Sequence, residues 1–208
     1  MKIFVGMSIV LLAFGAVSVF AEDKVSTPLA QGLEAFEAPS ENPWWTVKDG
    51  ELVGRSDEKM KGSTLYTKET FGDFEAECSF NGKGFKDGPH GPALVNFDSG
   101  LFFRNRDKIQ VQWGVSRSLK KDMTGSLYVA GGGYKYATQK PAGEFHKPGE
   151  WNTMKLRVQG DAVQVWMNGE QVLDAKIDGQ KDPGPIGVQL HGGVDMEVQV
   201  KDLKIRPL

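Results

Sequence analysis

Two alternating runs, Ala162–Met167 and residues 171–177, flank the dipeptide Asn168-Gly169. Both central residues of a tight hairpin turn need positive φ, which Asn and Gly tolerate, so this arrangement commits the segment to an antiparallel hairpin. The same grammar of short runs broken by Gly, Asp and Asn continues through most of the chain. Residues 46–47, Glu51–Arg55, 63–67 and 73–80 read as strands, with Asp49-Gly50 as a turn. Residues 82–97 read as a long Gly- and Pro-rich loop. Strands are then expected at 100–105, 108–113, 126–130, 151–158, 186–191 and 196–205. No window of helical periodicity follows residue 21, and no repeat recurs at a fixed period. Many short strands with 26 glycines argue an all-β sandwich or jelly roll.

The first 21 residues are set apart. Lys2 supplies a positive start, residues 3–20 are apolar, and Val19-Phe20-Ala21 places small residues where a signal peptidase reads. This is the pattern of a secretory signal, with neither a stop-transfer pattern nor a basic flank to make it a membrane span. The expected location is therefore secreted or periplasmic, with residues 22–43 as a flexible leader and residues 44–208 as one domain. Basic residues number 25 and acidic residues 27; losing Lys2 with the signal leaves 24 against 27, a net charge of −3. A mildly acidic chain without a basic run is a poor partner for nucleic acid.

Cys78 is the single cysteine, so no internal disulfide can form. It shares strand parity with Phe74, Ala76 and Phe80, which reads as a buried apolar position and not a nucleophile. Parity also sorts the polar residues. Arg104 aligns with Phe102 against Leu101 and Phe103, Gln110 and Gln112 oppose Val111 and Trp113, and Gln189 and His191 oppose Val188 and Leu190. If these strands are neighbours, Arg104, Gln110, Gln112, Gln189 and His191 form one polar patch; the alternative is an ordinary solvated sheet face.

Familiar chemical motifs are missing. Gly131-Gly132-Gly133 runs into Tyr134-Lys135-Tyr136 without a phosphate-binding helix, and there is no Gly-x-Ser-x-Gly elbow. His90, His146 and His191 lie far apart, without metal-ligand spacing. His90 and His146 both read as solvated loop histidines. The paired-carboxylate strand Glu-x-Asp-x-x-Glu of glucanases is absent as well.

Several stretches, taken in order, carry a resemblance. Asp98-Ser99-Gly100-Leu101-Phe102-Phe103-Arg104 resembles the NSG-[VI]-F-[LF]-R strand of the 3-keto-disaccharide hydrolase-like family. Phe71-Gly72-Asp73-Phe74-Glu75 is similar to its YGDFEL, Thr124-Gly125-Ser126-Leu127-Tyr128 to TGALY, and Gly149-Glu150-Trp151-Asn152 to GEWN. Residues 184–191 resemble GPIGLQ-x-H, and residues 198–208 resemble VEFRNIRIKEL. The resemblance spans residues 44–208 and implies a concanavalin A-like jelly-roll sandwich of two antiparallel sheets.

It also implies cleavage of glycosides oxidised at C3. The ketone acidifies the C2 hydrogen, a base removes it, the C1 substituent leaves by β-elimination, and water then adds. Such a site needs a base, a stabiliser for the enediolate oxygen and, in many cases, a divalent metal ion as Lewis acid. On this reading Arg104 stabilises the oxyanion, His191 is base or metal ligand, and Asp122 with Lys121 is a second acid–base pair. Gln110, Gln112, Gln189 and Glu77 are expected to bind substrate. One departure stands out: many family members carry YEVQI, with glutamate where this chain has Gln110, and an amide cannot act as a base. The expected partner is carbohydrate, either cleaved or bound in lectin fashion, with Trp113, Trp166 and Tyr128 as candidate stacking residues. A structural envelope protein without a ligand is the third reading.

Overall fold

Fourteen strands pair into two antiparallel sheets in the computed structural model, which describes residues 24–86, 96–179 and 181–208. In chain order they are β1 (Trp45–Lys48), β2 (Glu51–Arg55), β3 (Ser63–Phe71), β4 (Phe74–Gly84), β5 (Asp98–Phe102), β6 (Ile109–Ser116), β7 (Lys121–Asp122), β8 (Leu127–Val129), β9 (Gly133–Tyr136), β10 (Asn152–Gln159), β11 (Ala162–Met167), β12 (Glu170–Lys176), β13 (Gly184–Leu190) and β14 (Met196–Pro207). One sheet runs β1-β2-β14-β4-β10-β11-β12. The other runs β3-β13-β5-β6-β8-β9, with β7 paired to β6. Strands close in sequence but split between sheets make this a jelly roll.

Alternation explains the layering. Met154, Leu156 and Val158 of β10 point inward with Val163, Val165 and Met167 of β11, and all are buried. The two sheets meet where Phe80 of β4 stacks on Trp113 of β6, with ring centroids 4.3 Å apart and planes 3° from parallel. The Trp113 indole N–H donates to Met154 Sδ, which leaves no polar atom orphaned there. Trp113 is therefore core and not a sugar platform. Cys78 lies in the same core, its thiol pushed up to about 12 by burial and then by the Asp202 charge.

The hairpin forms as the turn chemistry requires. Met167 pairs with Glu170, and the two residues between them take φ of 50° at Asn168 and 84° at Gly169.

The stretch expected to be a flexible leader is partly built into the sandwich. Ser26 bridges to Ile205, Phe36 bridges to Thr67, and a pair of 3-10 turns over Pro28–Ala35, broken at Gly32, lies between them. Leu29 and Phe36 are buried in the core. Two apolar anchors on short 3-10 turns leave no periodic trace in sequence, which is why residues 22–43 read as loose. The signal segment at residues 1–21 and His90 fall outside the described residues. Among the described residues, no helix is long and apolar enough to cross a membrane.

Candidate active site

The outward face of β5, β6 and β13 forms the floor of a cleft of about 390 Å³. Register puts its side chains there. Phe102 pairs with Gln110, Gly100 with Gln112 and Asp98 with Gly114 across β5 and β6, while Gly187 of β13 pairs with Phe102. Continuing that β13–β5 register by four residues brings His191 opposite Asp98. Gln110, Gln112, Gln189 and His191 thus meet in one place, joined by Asp98, Tyr128, Tyr134 and the 116–118 hairpin tip. Gly100 clears the floor: a Cβ there would stand 2.8 Å from Gln110 Oε1.

A directional network runs along this floor. Gln110 Nε2 donates to Gln112 Oε1 at 3.1 Å, and the Tyr134 hydroxyl donates to the same oxygen at 2.8 Å. Gln112 Nε2 then donates to Asp98 Oδ1 at 2.8 Å, and the Arg117 backbone N–H approaches Asp98 Oδ2 at 3.3 Å. Burial pushes the Asp98 carboxyl above the usual aspartate range, against the opposing pull of His191, Gln112 and Arg117. His191 Nε2 lies 3.9 Å from Asp98 Oδ2, and its side chain is 39% exposed against 7% for Asp98. A buried base with a half-open imidazole beside it can exchange protons with a ligand in the cleft. Arg117 Nη1 donates to the carbonyls of Gly192 and Gly193 and so ties the hairpin tip to the loop that carries His191.

Two groups on this floor lack partners. Gln110 Oε1 and Gln189 Oε1 are buried and accept no hydrogen bond from the protein. A buried unsatisfied acceptor costs about 1–3 kcal/mol, a cost that a donor entering the cleft, water or a ligand hydroxyl, relieves.

Arg104 is not in the cleft, which corrects the expectation that it would converge with His191. The strand ends at Phe102, and Arg104 takes φ 57°, so parity no longer predicts its direction. Its guanidinium is buried. It donates to the carbonyls of Gly72 at 2.9 Å and Gly160 at 2.6 Å and pairs with Asp73 at 2.7 Å. Gly184 makes this packing possible, since a Cβ there would lie 1.4 Å from the Arg104 carbonyl oxygen. Arg104 is a clamp between loops.

Three more expected residues lie elsewhere. Glu77 is on β4, in the opposite sheet, facing outward. Lys121 is exposed on β7. Asp122 accepts from Thr124 Oγ1 at 2.7 Å and holds His146 Nδ1 at 2.6 Å. Burial opposes its ionisation, but the hydrogen bond and charge of His146 prevail and keep its carboxyl below the usual range. His146 is therefore no solvated loop histidine: it is buried, stacked near Phe80 and paired with Asp122. The pair fastens the β7 turn to the 142–146 segment, away from the cleft.

Asp98 is the residue that sequence reading passed over. It stands at the head of the Asp98–Arg104 motif and shares parity with Gly100 and Phe102, a signal overshadowed by Arg104. As for a metal, the described residues contain no group of three or more His, Cys, Asp or Glu able to hold one. Asp98 and His191 supply two such ligands, which does not amount to a dedicated site.

A family model of the 3-keto-alpha-glucoside-1,2-lyase-like domain matches residues 27–206. Among solved structures, the chain is similar to the "putative glycosyl hydrolase" of Parabacteroides distasonis at TM-score 0.63 and 20% identity, over 89% of this chain and 100% of that one. It is similar to the carbohydrate-binding module CBM66 of Bacillus subtilis at TM-score 0.51 and 15% identity, over 83% and 95%. For the Bacillus licheniformis β-glucanase the values are TM-score 0.54 and 15% identity, over 79% and 82%. At these identities the likeness is one of fold, a concanavalin A-like jelly roll. No curated protein matches the sequence.

Proposed function

This chain belongs to the 3-keto-alpha-glucoside-1,2-lyase-like family, and on that premise we propose that the β5–β6–β13 cleft binds a 3-keto-glycoside and cleaves its glycosidic bond. The observation that carries the reading is the pair of partnerless buried oxygens, Gln110 Oε1 and Gln189 Oε1, beside the buried Asp98 carboxylate. Sugar hydroxyls can donate to such oxygens in place of water.

The chemistry follows from the groups in reach. Asp98, made more basic by burial, takes the proton from C2, and the electron pair moves into the C2–C3 bond as the C3 oxygen gains charge. Collapse of that enolate expels the C1 oxygen, which His191 protonates as it leaves. Water then adds across C1 and C2 to complete hydrolysis. With Arg104 elsewhere, Tyr128 and Arg117 are the cleft-lining donors for the enolate oxygen. Gln112 holds Asp98 in place, and Tyr134, kept protonated by burial, holds Gln112. Gln110 binds a hydroxyl and does not act as a base. The chain carries a carboxylate at residue 98 and an amide at 110, the reverse of the family motifs NSG and YEVQI, so the base has moved to the neighbouring strand. The secretory signal expected at residues 1–21 fits action on sugars outside the cytoplasm.

The test is incubation of the mature protein with 3-keto-glucosides and unoxidised glucosides, with and without divalent metal ions. Release of the aglycone from the 3-keto substrate alone is the expected result. A second reading, sugar binding without cleavage, draws on the amide at residue 110; binding of both substrates without product would establish it and remove the enzymatic one.

A further inference from the structure

On the opposite side of the sandwich, the outer face of the β4-containing sheet carries a trough of about 360 Å³ that the cleft chemistry does not use. Register shapes it. Lys204 pairs with Glu77, Glu77 with Lys155 and Lys155 with Trp166, so four long side chains cross β14, β4, β10 and β11 in one row. In the adjoining row Ser79 pairs with Thr153. Both are short and hydroxylated, so the surface drops there, and Gly169 and Asp202 border the drop.

Two irregularities frame the trough. The β14–β4 register shifts between Lys201 and Lys204, where Asp202 takes φ 56°, and the β11–β12 register shifts between Val165 and Trp166. A bulge gives up ladder pairing and re-aims side chains. At the first, Asp202 is the re-aimed group and lines the trough; at the second the extra residue is Val172 of β12, while Trp166 lines the trough by ordinary alternation, in register with Lys155. Trp166 is half-buried on a face whose neighbouring outward positions, among them Lys155, Gln164 and Gln171, are polar. Lys155 Nζ lies 5.7 Å from its ring centroid and 3.6 Å from Glu77 Oε1.

We propose that this trough is a second carbohydrate-binding site, which takes one or two neutral hexopyranose rings. A pyranose has an apolar face of C–H groups and a rim of hydroxyls. The Trp166 indole accepts the first, and Ser79, Thr153, Glu77, Asp202 and the two lysines meet the second. Two lysines balance two carboxylates, so the site carries no net charge to favour an anionic or cationic sugar. The volume falls in the range of about 300–1,000 Å³ usual for small-ligand sites. Because the trough and the cleft occupy opposite faces, both can be filled at once. A glycan held by the trough raises the local concentration of its other segments. The site stands whether or not the cleft cleaves sugar.

Nuclear magnetic resonance separates the two faces. Titration of the full chain with maltotriose, cellotriose or methyl β-glucoside is expected to shift the Trp166 indole N–H and the Ser79 and Thr153 amides saturably, with the indole peak assigned through Trp166→Phe. Thr153→Trp fills the trough from an exposed position without removing any core contact, and it should weaken that binding at least tenfold while cleft signals respond as before. If none of the three sugars moves the trough signals, or if the shifts persist in Thr153→Trp, the proposal is overturned.

Discussion

The Asp98 carboxylate and the His191 imidazole stand 3.9 Å apart, the first buried in the floor of the cleft and the second half-open to it. Burial raises the affinity of Asp98 for a proton, which on the proposed mechanism makes it the base and its neighbour the proton donor. Asp98→Asn keeps the volume and a hydrogen-bonding side chain, and should lower turnover of a 3-keto-glucoside by about 10²–10⁴-fold. His191→Ala should cost a comparable factor, and the double variant less than the product of the two, because both act on one elimination. Wild-type turnover should fall on the acid side at a pH above the usual aspartate range of about 3.9, since the base must be ionised and its pKa is raised. A pH–rate profile checks this. An unchanged rate in Asp98→Asn would remove Asp98 from the chemistry.

Gln110→Met tests the partnerless oxygen. The change deletes an acceptor that nothing in the protein satisfies together with the donor to Gln112 Oε1, which keeps its bond from Tyr134, so thermal stability should be nearly unchanged. Ligand affinity should fall by about tenfold, the worth of one hydrogen bond of about 1.5 kcal/mol. Calorimetry on the same samples reads both. Parallel loss of stability and affinity would mean that Gln110 is structural.

Arg104→Met should damage folding rather than chemistry. It strands the carbonyls of Gly72 and Gly160 and removes the ion pair with Asp73, whose partly exposed carboxylate keeps the Gly160 N–H. A loss of about 2–4 kcal/mol follows, a drop in Tm of roughly 5–10 °C for a chain of this size. Activity per folded molecule should be nearly unchanged.

Glu75 makes acid stability predictable. Burial alone would raise its pKa, but Arg206, Arg157 and Lys155 more than offset that and bring it from 4.5 to about 2. A carboxylate depressed in the folded state stabilises above its unfolded pKa, and that contribution is lost as pH falls from 4.5 toward 2. With both arginines partly exposed, the contribution is about 2 kcal/mol after screening. Glu75→Gln should flatten the stability profile over that window, measured by urea unfolding.

Asp122→Asn offers a contrast with Asp98. It weakens the buried Asp122–His146 pair and should cost about 1–3 kcal/mol of stability, with sugar binding in the cleft intact by calorimetry.

Local patterning placed most of the strands, because side-chain alternation and turn chemistry act over two to six residues. It missed the short β7 and β9 and the end of β4 up to Gly84, inside the stretch 82–97 that reads as a loop. The Asn168-Gly169 hairpin follows from turn chemistry and the inward Cys78 from parity. Parity also groups Gln110 with Gln112 and Gln189 with His191, but only the pairing of β5 with β6 and β13 brings those two groups to one cleft. Parity holds only while a strand lasts. At Arg104 the backbone leaves the β region, and nothing in the sequence says that the guanidinium turns to Gly72 and Gly160, 32 and 56 residues away. The same limit hid the burial of His146 against Asp122 and of Leu29 and Phe36 under the sandwich, since each depends on which distant segment arrives beside it. The proposed base was hidden at that level too. Asp98 is one aspartate among many until the pairing of β5 with β6 and β13 removes it from water and sets Gln112 and His191 on either side.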